Sequence, residues 1–156
     1  MSEAERSRLG ARELAAAMAT TRDLLVTHQA TINRLNVFPV PDGDTGTNMS
    51  LTLESVVSAI GPVESVGSGP DAMRAVCAAV SHGSLMGARG NSGVILCQIL
   101  RATSRELACD PTGEAGPGEL ASALLAGARS AREAVLRPAE GTILSVADAA
   151  AAAATG

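Results

Sequence analysis

Apolar residues return every three or four positions through most of this chain, the spacing of one buried face on an α-helix. From Ala11 to about His28, Leu14, Met18, Leu25 and Val26 can share a face while Arg12, Arg22 and Asp23 stay in water. A separate short helical piece is predicted from Ala30 to Leu35, turning Ile32 and Leu35 inward. Val37-Phe38-Pro39-Val40-Pro41 is then extended, because each proline disfavours the α conformation in the residue before it. Thr47 to Ile60 reads as the next helix, apolar at Met49, Leu53, Val56, Val57 and Ile60, and Gly61-Pro62 stops it. After a loop over 61–70, Pro70 opens a helix to about His82, with Met73, Val76, Cys77 and Val80 inside. A glycine-rich loop follows over Gly83–Gly93, and the apolar run from Val94 to Leu100 starts a helix ending near Leu107. Beyond a loop over Cys109–Gly118, Glu119 to Arg137 is helical along Leu120, Leu124, Ala128, Ala131 and Val135, and Pro138 stops it. Ala139–Thr142 is a turn, and Ile143 to Ala154 is a final alanine-rich helix.

Composition narrows the fold class. The 156 residues suit one domain with a real core. Their hydrophobic fraction is 46% but only 1% is aromatic, so the core is built from Ala, Leu, Val, Ile and Met. That mixture suits closely packed helices better than strands, and the expectation is an all-α bundle over residues 11–156 with a flexible segment at 1–10. The net charge of −4, without a basic stripe or a stacking platform, argues against a nucleic-acid partner. Cys77, Cys97 and Cys109 lack CxxC or His/Cys spacing and read as reduced core thiols of a cytosolic protein. Residues 1–10 mix both charge signs and form no signal peptide, and no apolar run is long enough to span a bilayer. A cytoplasmic protein without a transmembrane segment is expected. His28 and His82 fit surface or capping positions.

Two stretches break the helical pattern in ways that carry chemistry. Asp42 and Asp44 flank Gly43 at the end of the proline strap, where both carboxylates can turn to one point and hold a hard cation such as Mg²⁺. Thr45-Gly46-Thr47-Asn48 then offers hydroxyls and backbone N–H groups at a helix start, where anions are favoured. The plainer reading of Asp-Gly-Asp alone is a turn that caps the next helix. In the second stretch, Gly90, Asn91, Ser92 and Gly93 lead into a helix beside the cation of Arg89. Its plainer reading is a helix–helix turn capped by Asn91 or Ser92. Together, paired carboxylates, two glycine-rich helix entrances and one arginine make a kit for phosphoryl transfer, which needs positioning and charge neutralisation more than covalent help.

The strings Asn-Val-Phe-Pro-Val-Pro-Asp-Gly-Asp-Thr-Gly-Thr-Asn-Met and Met-Gly-Ala-Arg-Gly-Asn-Ser-Gly-Val-Ile-Leu closely resemble the DhaL-type nucleotide-binding domain of the dihydroxyacetone kinase family. The resemblance is to the version at the N-terminus of bacterial fatty-acid kinase catalytic subunits, and it runs from about Leu14 onwards. Arg137–Leu144 is similar to a third segment of that domain, near the nucleotide, and this brings in Thr142. The resemblance implies an all-helical, barrel-like antiparallel bundle that binds ATP through two Mg²⁺. It implies that Asp42 and Asp44 hold the metal at the catalytic centre, with Asn36 standing where dihydroxyacetone kinases have a third aspartate. Thr45, Gly46, Thr47 and Asn48 match the loop around the phosphates; Arg89 and Gly90–Gly93 match the second nucleotide loop. The implied reaction moves the γ-phosphoryl group of ATP to a fatty-acid carboxylate presented by a separate binding protein, giving an acyl phosphate.

Such domains continue with further helices, so the chain is expected to lack the last helices of its bundle. Apolar surface around Ile143 and Val146 would then favour weak stability, a homo-oligomer or pairing with absent domains. A kinase for dihydroxyacetone or a similar polyol, and a catalytically silent nucleotide-binding module, remain alternatives.

Overall fold

In a computed structural model that describes residues 8–38 and 40–155, the periodic segments become six α-helices: α1 (Ala11–Leu35), α2 (Thr45–Ile60), α3 (Pro70–Gly87), α4 (Gly90–Ala108), α5 (Pro117–Glu133) and α6 (Ile143–Thr155). A 3₁₀ turn at Val63–Ser65 lies between α2 and α3. No strand forms among the described residues, so the all-α expectation holds. Each helix packs on the next, and α2 also packs on α4. Short connections make sequence neighbours antiparallel, which starts α2 and α4 at the same end of the bundle. That end carries the candidate site.

The core is aliphatic. Val56 of α2, Met73, Val76 and Val80 of α3, and Leu107 of α4 are buried together with Leu14 of α1, and Leu53 of α2 is buried as well. Removing each such side chain from water contributes roughly 1.5–3 kcal/mol. Without large rings to fill space, the helices close up on small residues. A methyl on Gly83 would lie 2.8 Å from both the Ser55 carbonyl oxygen and Val56 Cα. One on Gly93 would lie 2.6 Å from the Thr52 hydroxyl, and one on Gly127 would lie 2.5 Å from the Thr103 hydroxyl.

These contacts correct the expected boundaries. Gly83 and Gly87 are not loop residues: α3 continues through both because their bare backbones pack on α2. With α4 starting at Gly90, the predicted eleven-residue loop shrinks to Ala88 and Arg89. The break predicted between His28 and Ala30 is absent as well. No glycine or proline lies inside Ala11–Leu35, and α1 runs straight through. Val26 and Leu35 point to solvent rather than inward. α2 starts at Thr45, two residues early. α5 stops at Glu133 instead of Arg137, because the ring of Pro138 would clash with the Ala134 carbonyl, four residues back, if the helix continued.

At the N-terminus, Leu9 and Ala115 exchange backbone hydrogen bonds of 2.8 and 2.9 Å. Arg8 adds a guanidinium bond of 2.8 Å to the Glu114 carbonyl. Held backbone therefore begins before the expected boundary at residue 11. The remainder of the segment expected to be flexible, 1–7, and the place of Pro39 in the strap lie outside the described residues. Cys77 and Cys97 are buried as expected, but Cys109 is exposed at the C-terminus of α4. His28 and His82 are both exposed. Among the described residues, no helix is long and apolar enough to cross a membrane.

Candidate functional site

Where α2 and α4 begin side by side, a cleft of about 190 Å³ opens to solvent. Its lining is Asn36, Phe38, Val40, Asp42, Asp44, Thr45, Gly90, Asn91 and Ser92. The two stretches singled out in the sequence, 46 residues apart between Asp44 and Gly90, thus meet at one place. The hydroxyl of Ser92 donates to that of Thr45 at 3.2 Å and ties the two helix starts together. Gly43 has φ +70°, the left-handed region that glycine enters without strain, and the turn there carries Asp42 and Asp44 onto the same wall. Asp42 is exposed and Asp44 half-buried.

The two helix starts differ in what they offer an anion. At α2 three N–H groups, those of Asp44, Thr45 and Thr47, are already used. Asn36 Oδ1 accepts from Asp44 N at 3.1 Å and from Thr45 N at 3.2 Å. Asn33 Oδ1 accepts from Thr47 N at 3.2 Å. Thr47 Oγ1 in turn accepts from Asn33 Nδ2 and Gln29 Nε2, at 3.0 and 3.1 Å. These three amide side chains sit at 29, 33 and 36, one stripe along α1. Gly46 is the contact point: a methyl there would lie 2.5 Å from the Gln29 carbonyl oxygen. Gly46 and Thr47 therefore dock α1, while Thr45 lines the cleft. At α4 no side chain caps the N-terminus, and Gly90, Asn91 and Ser92 present that end to the cleft. Its partial positive charge favours an anion.

Other expected site residues lie elsewhere. Arg89 folds its guanidinium onto the Ala88 and Met86 carbonyl oxygens, at 3.0 and 3.3 Å, and so caps α3. Gly93 is buried against Thr52, and Asn48 fills the space beside Gly90, whose φ is +58°. Thr142 starts α6, donating to the Ala139 carbonyl at 2.8 Å and accepting from Leu144 N at 3.3 Å. α6 packs chiefly on α5, and Thr142 does not line the cleft. Asn36 does line the cleft, with its side-chain oxygen accepting two backbone N–H groups. Sequence reading missed Gln29 and Asn33, though polar amides at helical spacing inside an apolar pattern were a usable signal.

The donor set fits Mg²⁺. Among the described residues no group of three or more His, Cys, Asp or Glu side chains gathers. Two carboxylates are too few for an all-protein cage, but they suit a cation completed by water and phosphate oxygens. The cleft is smaller than the usual 300–1,000 Å³ of pockets that swallow a whole ligand.

Residues 39–156 match the family model described as "DAK2 domain". Protein YloV of Bacillus subtilis (strain 168) is 47% identical over 116 residues, which are 74% of this chain and 20% of YloV. An uncharacterized protein of Staphylococcus haemolyticus is 46% identical over 123 residues, 79% of this chain and 21% of that protein. A similar protein of Staphylococcus saprophyticus is 45% identical over the same shares. The chain spans about a fifth of the length of these curated relatives.

Proposed function

Because the chain belongs to the DAK2 domain family, a dihydroxyacetone kinase-like nucleotide-binding module, we propose that it binds the phosphates of ATP with Mg²⁺ in the Asp42/Asp44 cleft and serves phosphoryl transfer. The observation that carries this reading is the meeting of the two carboxylates with the uncapped N-terminus of α4 in one cleft. Bound Mg²⁺ would neutralise phosphate charge and orient the γ-phosphoryl group. Asp42 and Asp44 hold the cation side, while the N–H groups of α4 stabilise phosphate oxygens, whose charge redistributes during transfer. Ser92 and Thr45 supply hydroxyls between them.

The proposed acceptor is a fatty-acid carboxylate brought by a separate acyl-binding protein. A carboxylate oxygen attacks the γ-phosphorus, the bond to the β,γ-bridging oxygen breaks, and acyl phosphate and ADP result. Such an acceptor arrives ionised and needs no general base. This agrees with a lining in which, among the described residues, the ionisable side chains are the two aspartates that this reading assigns to the cation. Leu35, Val37, Phe38 and Val40 are each more than half exposed beside the cleft, which supports an apolar partner there.

Calorimetry with a nonhydrolysable ATP analogue, with and without Mg²⁺, tests the site. The parent chain binds in a Mg²⁺-dependent manner, and Asp42→Ala/Asp44→Ala loses the Mg²⁺-dependent part. Equal binding by both chains would move the nucleotide away from this cleft. Binding without turnover in the presence of an acyl carrier would leave a nucleotide-binding module.

A further inference from the structure

Asn36 lies beside both aspartates yet has no free lone pair to give. Its side-chain amide spans the loop that carries them. Nδ2 donates to the Val40 carbonyl at 3.1 Å, ahead of Asp42, while Oδ1 accepts from Asp44 N and Thr45 N after it. Its own backbone N–H donates to the Asn33 carbonyl at 3.2 Å, so the amide is anchored to the end of α1. One planar group thus closes the 40–45 loop from both sides. Asparagine meets both demands of this loop, which asks for a donor and an acceptor at once. Aspartate would set a carboxylate oxygen against the Val40 carbonyl, and glutamine would be one methylene too long.

We propose that Asn36 is a positioning residue, a latch that sets the Asp42 and Asp44 carboxylates before any cation arrives, and not a ligand to that cation. The inference rests on the reading that these carboxylates hold Mg²⁺. It assigns the cation two protein carboxylates and no third side-chain oxygen from α1. The loop's entropy is lost during folding rather than on binding, which favours affinity by pre-organisation.

NMR on the ¹⁵N,¹³C-labelled chain tests this without needing a variant. Cross-hydrogen-bond couplings from the Asp44 and Thr45 nitrogens to the Asn36 side-chain carbonyl carbon are expected without cation. They persist when Mg²⁺ and a nonhydrolysable ATP analogue are added. Loss of these couplings on adding Mg²⁺ would show Asn36 turning to the cation and overturn the proposal. In Asn36→Ala, amide exchange at Asp44 and Thr45 should accelerate by about tenfold or more, as expected for a lost pair of hydrogen bonds, with Leu53 and Val56 unchanged. The Mg²⁺-dependent affinity for the analogue should fall about tenfold while Mg²⁺-independent binding stays put, a split that general destabilisation would not produce. Unchanged protection at both amides would also sink the latch. A parent chain that shows the couplings but binds no analogue would refute the proposed function, not the latch.

Discussion

At the scale of single residues, the glycines separate packing from conformation. Gly43 and Gly90 have positive φ and shape the two walls of the cleft. Gly83, Gly87 and Gly93 are helical and exist to let α2 come close. A glycine-rich string looks the same in both cases, because the sequence shows the missing side chain and not what replaces it. The distinction is measurable. Gly83→Ala puts a methyl 2.8 Å from backbone atoms of Ser55 and Val56, which cannot rotate away. We expect it to destabilise the fold by about 1–3 kcal/mol, the cost of overpacking. Gly118→Ala, in the first turn of α5 with nothing within 4 Å, should be neutral or stabilising by up to about 1 kcal/mol. Urea midpoints followed by circular dichroism decide; equal midpoints for the two variants would contradict the packing account.

At the scale of elements, α6 is the helix held by polar chemistry. Arg132 of α5 donates through Nε to Asp148 Oδ2 at 2.8 Å and through Nη1 to Glu140 Oε1 at 3.2 Å. Ser145 donates to the other oxygen of Glu140 at 2.6 Å and accepts from Gly141 N at 3.0 Å. This clasp sets the turn that leads into α6, whose burial is limited to Leu144 and Ala151. The Ser145 hydrogen bond first, the Arg132 hydrogen bond second and the Arg132 charge after them hold the Glu140 carboxyl below its ordinary 4.5. A carboxylate so depressed contributes stability that is present above the unfolded value and is lost as pH falls through the folded one. Acid should therefore loosen α6 before the core. Hydrogen exchange, corrected for intrinsic rates, should show α6 losing protection relative to α3 between pH 7 and pH 3. Arg132→Ala should weaken that protection already at pH 7. An α6 that stays as protected as α3 at pH 3 would rule out the clasp as its main tether.

At the scale of the whole molecule, the three thiols report whether the aliphatic core is closed. Cys109 is exposed, while Cys77 and Cys97 are buried on α3 and α4. Burial pushes the Cys77 thiol up to about 11 from an ordinary 9.0, so it stays protonated and unreactive at neutral pH. A thiol reagent at pH 8 should modify one cysteine rapidly and the other two only with global opening or denaturant. Two fast thiols in the native protein would mean that the α3–α4 core opens readily. The raised value also carries a sign. Stability linked to Cys77 is complete below pH 9 and falls as pH rises towards 11, because the unfolded chain releases its proton first.

By itself the sequence determined the helical class, the rough span of each helix and the pair of carboxylates on the proline strap. Those features depend on near neighbours: apolar spacing, prolines that remove an N–H, and an Asp-Gly-Asp turn. It also carried two motifs with the right chemistry. Tertiary structure decided the rest, because a side chain's role depends on what packs opposite it. The amide stripe running down α1 to Asn36 lies across the start of α2, so Asn36 and Asn33 took three of its N–H groups while Asn33 and Gln29 took the Thr47 hydroxyl. The antiparallel order set the starts of α2 and α4 together, which left the uncapped start of α4 facing the cleft. It also turned Arg89 onto carbonyls of α3 and put Thr142 on a helix that packs elsewhere. Periodicity encodes which face of a helix is buried; only the packed bundle decides which neighbour covers it.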